Sequence, residues 1–122
     1  MERINIFLEV LFEIAQKDYA NENWEKAEIH YFDYYNKLFF SENDPRDMTE
    51  TESLNLLNLI ESHYKCITPK QHLQNCCFVL TDDIYRLFEI AQKTYERWMM
   101  DESFPYERYF NSYILLGKTL LA

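Results

Sequence analysis

Two histidines and two cysteines in the middle of the chain have a spacing that could hold a metal ion. They are His63, Cys66, His72 and Cys76, in the pattern His-x2-Cys-x5-His-x3-Cys. On two antiparallel helices these side chains could surround one tetrahedral zinc, which prefers thiolate and imidazole ligands. The spacing matches no known zinc finger, however, and a chain of this length buries enough surface to fold without metal. We therefore predict no metal and no other cofactor.

The remaining residues that could do chemistry do not form a catalytic pattern. Glu28 and His30, like Glu61 and His63, are separated by one residue, whereas di-iron bundles use Glu-x-x-His on one inward face. A loop that cradles phosphates needs several glycines, and Gly117 is the only one. A nucleophilic Cys–His pair stays open in principle, although no local signature supports it. The sequence predicts a protein that is not an enzyme.

The charge of the chain limits its partners. It has 122 residues with 12 Lys and Arg against 21 Asp and Glu, a formal net charge of −9. This charge would repel a phosphate backbone and would speed association with a basic protein surface. The start of the chain has no signal-peptide pattern, no apolar run is long enough for a membrane span, and the cysteines form no disulfide framework. We expect a cytoplasmic protein that binds neither nucleic acid nor a membrane.

The elements that position these residues are predicted to be helices. With 17% aromatic residues, one Gly and three Pro, the chain has a large apolar supply and few of the turns that sheets require. Thr49 and Glu52 match a capping box at a helix start. Apolar residues recur at helical spacing in the stretches 3–20, 24–40, 49–67, 69–80, 84–100 and 106–120. The fourth and fifth stretches are either separate helices or one, so we predict an all-α domain of five or six helices.

One nine-residue segment occurs twice. Residues 11–19 read LFEIAQKDY and residues 87–95 read LFEIAQKTY. Good helix formers such as Ala, Gln, Lys and Glu recur in unrelated helices, but eight matches in nine positions favour a duplication. We predict one domain, 1–122, in which related helical hairpins at 1–41 and 84–122 flank central helices at 48–83.

The first hairpin resembles a known repeat family. Ala15, Trp24, Ala27 and Tyr31 occupy the places of two small and two aromatic packing residues in a tetratricopeptide repeat, while Glu22 stands where a turn glycine is usual. The hairpins of microtubule-interacting-and-trafficking domains are similar over the same stretch. Helical repeats that stack in this way share a core. The resemblance implies a grooved surface that binds a peptide or protein without catalysis.

The second helix has apolar residues on two of its sides. Tyr31, Tyr34 and Leu38 make one stripe, and a second consists of Phe32, Tyr35 and Phe39. Either the central helices cover the second stripe, or it stays partly exposed and anchors a partner.

The last helix has more apolar residues than one face can hold. We expect an inward set that consists of Tyr106, Tyr109, Phe110, Tyr113, Leu116 and Leu120. A second apolar side then contains Tyr113, Ile114 and Leu115, and it too must either be covered or stay exposed. A second copy of the chain could cover it, so a homodimer is an alternative.

The densest acidic cluster consists of Glu42, Asp44, Asp47, Glu50 and Glu52. It either favours the positive end of a helix or steers a basic partner. We predict a protein–protein interaction domain, an adaptor or assembly subunit, whose partner-binding residues are this cluster and the second aromatic stripe. The alternative is a small acidic inhibitor, such as an immunity protein, antitoxin or phage-encoded blocker, which occupies the basic active-site channel of a nuclease or nucleic-acid-binding protein.

Overall fold

The protein is all-α, as predicted. The computed structural model describes residues 2–40, 47–67 and 81–121, with side chains described for 6–40, 47–66 and 81–118. Its helices are α1 (Glu2–Ala20), α2 (Trp24–Phe39), α3 (Glu50–Ile67), α4 (Thr81–Trp98) and α5 (Tyr106–Leu121). The helix predicted at 69–80 lies outside the described residues. None of the described helices combines the length and the apolarity that a bilayer crossing demands.

The α3 helix lies at the centre and packs against all four other helices. Its aliphatic residues Leu56, Leu57, Leu59 and Ile60 are buried completely or almost so. Six of its polar residues are buried as well: Glu52, Ser53, Asn55, Asn58, Ser62 and His63. A helix that is buried on most of its circumference needs hydrogen-bond partners for these polar groups, because an unpaired buried polar group is costly.

Tyrosine hydroxyls from the surrounding helices supply many of these partners. Tyr31 of α2 donates to Oδ1 of Asn55 at 2.6 Å, and Tyr19 of α1 donates to Glu61 at 2.5 Å. Tyr35 donates to the carbonyl of Glu52. Burial raises the pKa of Tyr19 and of Tyr31 to about 12. Both hydroxyls therefore keep their protons at neutral pH and act as donors into the central helix.

The predicted capping box at the start of α3 is confirmed. The backbone N–H of Glu52 donates to Oγ1 of Thr49 at 3.1 Å, and the backbone N–H of Thr49 donates to Oε1 of Glu52 at 2.9 Å. Two backbone donors that the helix cannot satisfy internally thus have partners.

Two positions of the nine-residue segment are buried in both copies, whereas Phe88, Thr94 and Tyr95 are buried and their counterparts in the first copy are only partly buried. Leu11 and Ala15 of α1 are buried, and so are Leu87 and Ala91 of α4. In each copy these residues are four apart and lie on one face of the helix. The shared burial agrees with a common hairpin plan, and the duplication itself stays a prediction.

The single position that differs between the copies makes a different hydrogen bond in each. Asp18 contacts Nδ1 of His30 at 2.6 Å and so links α1 to α2. Thr94 donates its hydroxyl to the carbonyl of Met48 at 2.5 Å, just before α3 begins. The substitution therefore follows the different neighbours of the two helices.

The turn between α1 and α2 has the hydrogen bonds of a Schellman motif. The N–H of Asn23 donates to the carbonyl of Asp18 at 2.8 Å, and the N–H of Glu22 donates to that of Tyr19 at 3.0 Å. Glu22 consequently adopts a left-handed backbone conformation with φ of 57°. This conformation suits glycine and is strained for a residue with a side chain.

We expect Glu22→Gly to stabilise the protein. Relief of the left-handed strain outweighs the greater freedom of glycine in the unfolded chain, so the free energy of unfolding should rise by about 0.5–1 kcal/mol. The matched control is Glu22→Ala, which removes the same carboxylate and keeps the strain. Urea unfolding of both variants measures the difference, and equal midpoints for the two would contradict this account of the turn.

Candidate functional site

His63 lies in the core as the middle member of a polar triad. Its Nδ1 pairs with Oε2 of Glu28, and its Nε2 lies 2.8 Å from Oγ1 of Thr81. The side chains of His63 and Glu28 are only 3% and 1% exposed. Burial raises the pKa of the Glu28 carboxyl above its ordinary value, and the hydrogen bond and the charge of His63 offset part of that rise.

A carboxylate, an imidazole and a hydroxyl in this order are the groups that acyl-transfer enzymes use. Here the carboxylate and the imidazole are shielded from solvent, and none of the three lines the groove or the cleft described below. The arrangement instead ties α2, α3 and the start of α4 together. Sequence reasoning missed it because the partner of each histidine lies on another helix rather than two residues away.

The four residues of the zinc hypothesis are only partly described. Both ring nitrogens of His63 have the partners just named, and Cys66 is buried. His72 and Cys76 lie outside the described residues. Across residues 2–40, 47–67 and 81–121, no three His, Cys, Asp or Glu side chains come together in a way that could hold a metal ion.

The exposed aromatic stripe predicted on α2 is wrong for Tyr35. This side chain is completely buried, because α3 covers it. The backbone carbonyl of Glu52 accepts a hydrogen bond from its hydroxyl. Phe32 and Phe39 are half-buried and pack against the core, with Phe39 stacked on Tyr35 at 6.2 Å between ring centroids. The central helix therefore covers this side of α2, which was the other reading of the pattern.

Three members of the acidic cluster have described side chains, and these differ in exposure. Glu52 is 7% exposed and serves the capping box, so its predicted place on a partner surface is wrong. Asp47 is exposed and lies 3.9 Å from Arg97, and Glu50 is exposed in the first turn of α3. Glu42 and Asp44 lie outside the described residues.

Three exposed aromatic residues lie on α5. Tyr106, Phe110 and Tyr113 are 44%, 53% and 59% exposed, and their spacing of four and three residues places them on one side of the helix. We call these three residues the α5 aromatic face. Tyr106 and Phe110 stack on each other at 6.4 Å between ring centroids.

The prediction that these three rings point inward is therefore wrong, whereas it is confirmed for Tyr109 and Leu116, which are buried. The physical reason is that α5 packs on α3 and α4 with one side only, and its apolar residues extend further round the helix than that side. Leu120 has no described side chain. The spacing that marks this exposed face was visible in the sequence.

A groove lies beside the α5 aromatic face, between α4 and α5. It encloses about 390 Å³. We call it the α4–α5 groove, and it is lined by Tyr85, Phe88, Glu89, Gln92, Tyr113, Leu116 and Gly117. Phe88 and Tyr113 meet edge to face in it, with ring centroids 5.9 Å apart. A Cβ atom added at Gly117 would meet nothing within 4 Å, so the backbone of α5 is open to the groove.

This arrangement can bury apolar side chains of a partner but offers little for catalysis. Aromatic rings with a polar tip are the residues that most often anchor protein interfaces. Among the described residues that line the groove, Glu89 is the only charged one.

No protein-family model matches the chain, and searches of curated proteins and of solved structures gave no significant match.

Proposed function

We propose that the protein is a non-catalytic interaction domain that binds an amphipathic helix of a partner protein. The apolar side of that helix lies in the α4–α5 groove and against the α5 aromatic face, and its polar side carries Lys or Arg. The observation that carries the proposal is the exposure of Phe110 and Tyr113, at 53% and 59%, beside an apolar groove.

The lining of the groove supports a helix as the ligand. A helix docks through side chains at spacings of three and four residues, which enter a hydrophobic groove as anchors. The α4–α5 groove provides aromatic walls from Phe88 and Tyr113 and an open backbone at Gly117. The resemblance of the first hairpin to tetratricopeptide repeats agrees with a helical adaptor that binds peptides.

The charge of the partner follows from the charge of the domain. Glu89 lines the groove, and the chain carries a formal net charge of −9. Long-range attraction between an acidic domain and a basic partner raises the association rate more than it raises the final affinity. A basic polar side on the partner helix is thus the complementary choice.

The inhibitor alternative receives less support. A blocker of a basic channel needs a dense, exposed acidic surface. Within the predicted cluster Glu52 is buried and Asp47 lies near Arg97. An adaptor that relies on aromatic anchors fits the exposed residues better.

Two synthetic amphipathic peptides test the proposal. They share one apolar face and differ only in a lysine or glutamate polar face. We expect the lysine peptide to bind the wild-type protein. The double variant Phe110→Ser/Tyr113→Ser should lower the affinity for this peptide about 30-fold, which is the effect of losing one strong hot spot. Isothermal titration calorimetry gives the affinities.

The matched control is Ile6→Ser/Val10→Ser on α1. These residues are 59% and 48% exposed, so the control removes a similar apolar surface away from the groove. Gly117→Leu adds a further test, because leucine favours the helix and its side chain would enter the groove. This variant should no longer bind the peptide, and its free energy of unfolding should not fall. Equal weakening by the α1 and α5 variants, or equal binding of the glutamate peptide, would refute the proposal.

A further inference from the structure

A second concave site, on the other side of α5, has the opposite charge. It lies between α3 and α5, encloses about 410 Å³, and we call it the α3–α5 cleft. Three cationic residues line it, Lys65, Arg108 and Lys118, together with one acidic residue, Glu61. The chain as a whole has 12 Lys and Arg against 21 Asp and Glu. A local excess of three cations over one acid is therefore the reverse of the average composition.

The acid in the cleft already has a partner. Glu61 accepts a hydrogen bond from the hydroxyl of Tyr19 at 2.5 Å. In the described part of the chain, no ion pair within 4.0 Å joins Glu61 to any of the three cations. Within the described residues, none of the three cations has a carboxylate within 4.0 Å.

Arg108 is held in place by neutral groups only. Its Nη2 donates to Oδ1 of Asn58 and lies 3.4 Å from the hydroxyl of Tyr19. Its guanidinium carbon lies 6.0 Å from the centre of the Tyr19 ring. These contacts fix the orientation of the guanidinium, and both hydrogen bonds use one nitrogen. None of the described contacts uses Nε or Nη1, so each of these donors can give a single hydrogen bond to an oxygen of an anionic ligand.

The rest of the cleft adds point charges and hydrogen-bonding groups. Lys118 is exposed, and Lys65 lies over the Trp24 ring with its Nζ 5.8 Å from the ring centre. Asn111 and Ser112 follow Arg108 by three and four residues, so all three share one side of α5. These residues could bind the several oxygens of a tetrahedral anion.

An apolar wall completes the site. Ile114 is 53% exposed and lines the cleft together with Leu115. A bare inorganic anion would leave this surface in water, whereas an anion carried on a small organic group would cover it. A volume of about 410 Å³ lies at the small end of the range for ligand pockets.

We propose that the α3–α5 cleft binds a small organic phosphate, a phosphate monoester on an apolar carrier. Arg108 donates a charge-assisted hydrogen bond to a phosphate oxygen, and Lys65 and Lys118 balance the second negative charge. The carrier lies against Ile114. This site is separate from the α4–α5 groove, so its test is independent of the helix-binding proposal.

Phenyl phosphate is the probe, and inorganic phosphate and phenol are its two halves. In a nuclear magnetic resonance titration we expect phenyl phosphate to bind with a dissociation constant of about 1 mM or below, the range for a ligand of this size. Inorganic phosphate should bind about 10-fold more weakly, and phenol should not bind. The amide signals of 108–118 should move most. Equal affinity for phenyl phosphate and inorganic phosphate would contradict the proposal that the ligand carries an organic group.

Variants at exposed lysines separate the cleft from the overall charge. Lys118→Gln removes a cation of the cleft without touching the core. We expect it to weaken the binding of phenyl phosphate about 5-fold, as for the loss of one solvent-exposed ion pair. Lys93→Gln, on the exposed side of α4, changes the net charge equally and should leave the affinity unchanged. Equal weakening by both variants, or signal shifts spread over all helices, would overturn the proposal.

Discussion

Glu28→Ala should destabilise the protein by about 3–5 kcal/mol, the usual penalty for removing one partner of a buried charged pair. The Glu28 side chain is 1% exposed and pairs with Nδ1 of His63, which is itself 3% exposed. Without the carboxylate, a polar ring nitrogen stays in the core with no partner. A loss of this size is a large part of the 5–15 kcal/mol that stabilises a typical domain. Urea unfolding at pH 7 measures it.

Replacing both partners should cost less than removing one. The double variant Glu28→Leu/His63→Leu leaves no unpaired polar group between the two helices, and apolar replacements of buried pairs are often close to neutral. The control is Glu13→Ala, an exposed glutamate on α1, with an expected change within about 0.5 kcal/mol. If the double variant lost as much stability as Glu28→Ala, the unpaired imidazole would not be the cause.

Glu28 also gives a pH dependence with a definite sign. Burial raises its pKa above the ordinary value of 4.5, so the folded protein holds this proton more tightly than the unfolded chain. The stability from this group is present below 4.5 and is lost as the pH rises through the raised pKa. The free energy of unfolding of the wild type minus that of Glu28→Gln should therefore fall as the pH rises. Urea unfolding of both proteins from about pH 4 to 8 tests this.

Local sequence signals predicted the helices well. The capping box at Thr49 and Glu52 follows from side chains that act within a few residues, whereas α2 begins after Asn23 without a side-chain cap hydrogen bond. Apolar spacing also identified Leu11, Ala15 and their counterparts in the second nonamer as inward residues. Such features depend on chemistry within one or two turns of helix, which the sequence states directly.

The position of each helix in the assembly could not be predicted in the same way. Apolar spacing assigns a helix one buried side, but α3 is surrounded and buries Asn55, Asn58 and Ser62 as well. These three are spaced by three and four residues, so they form a polar stripe that spacing alone assigns to water. The hydroxyl of Tyr31 on α2 hydrogen-bonds to both Asn55 and Asn58, whereas Ser62 donates to the carbonyl of Asn58 within α3. The same central helix covers Tyr35.

The α5 aromatic face shows the converse error. Aromatic residues at helical spacing are typical of a core, and this applies to Tyr106, Phe110 and Tyr113. Whether such rings are buried depends on how many helices pack against α5. The α3–α5 cleft depends on residues 43 or more positions apart, and no local signal brings Lys65 next to Arg108. Candidate sites of this kind become visible only when the packing is known.

Tyr95→Ala should destabilise the protein by about 3–5 kcal/mol and lower the melting temperature by roughly 10–20 °C. The ring is completely buried and packs against Phe88, Phe104 and Tyr109, with ring centroids 5.7, 6.2 and 4.9 Å away. Truncation removes these contacts and leaves a cavity that the rigid helices fill only in part. Differential scanning calorimetry measures the shift.

Tyr95→Phe separates the ring from the hydroxyl. The hydroxyl donates to the carbonyl of Ser53 at 2.6 Å, and burial raises the pKa of Tyr95 far above its ordinary value. The phenylalanine variant loses one buried hydrogen bond, an expected cost of about 1 kcal/mol. Most of the loss in Tyr95→Ala should therefore come from packing.

Tyr19 is the internal comparison, because it ends the first nonamer as Tyr95 ends the second. Both tyrosines hydrogen-bond to α3, but Tyr19 is only half-buried. Tyr19→Ala should therefore cost about 1–2 kcal/mol, since a partly exposed ring loses less burial. Equal losses at Tyr19 and Tyr95 would mean that burial does not set the cost. A larger loss at Tyr95 would mean that one sequence motif supports the central helix with unequal strength at its two ends.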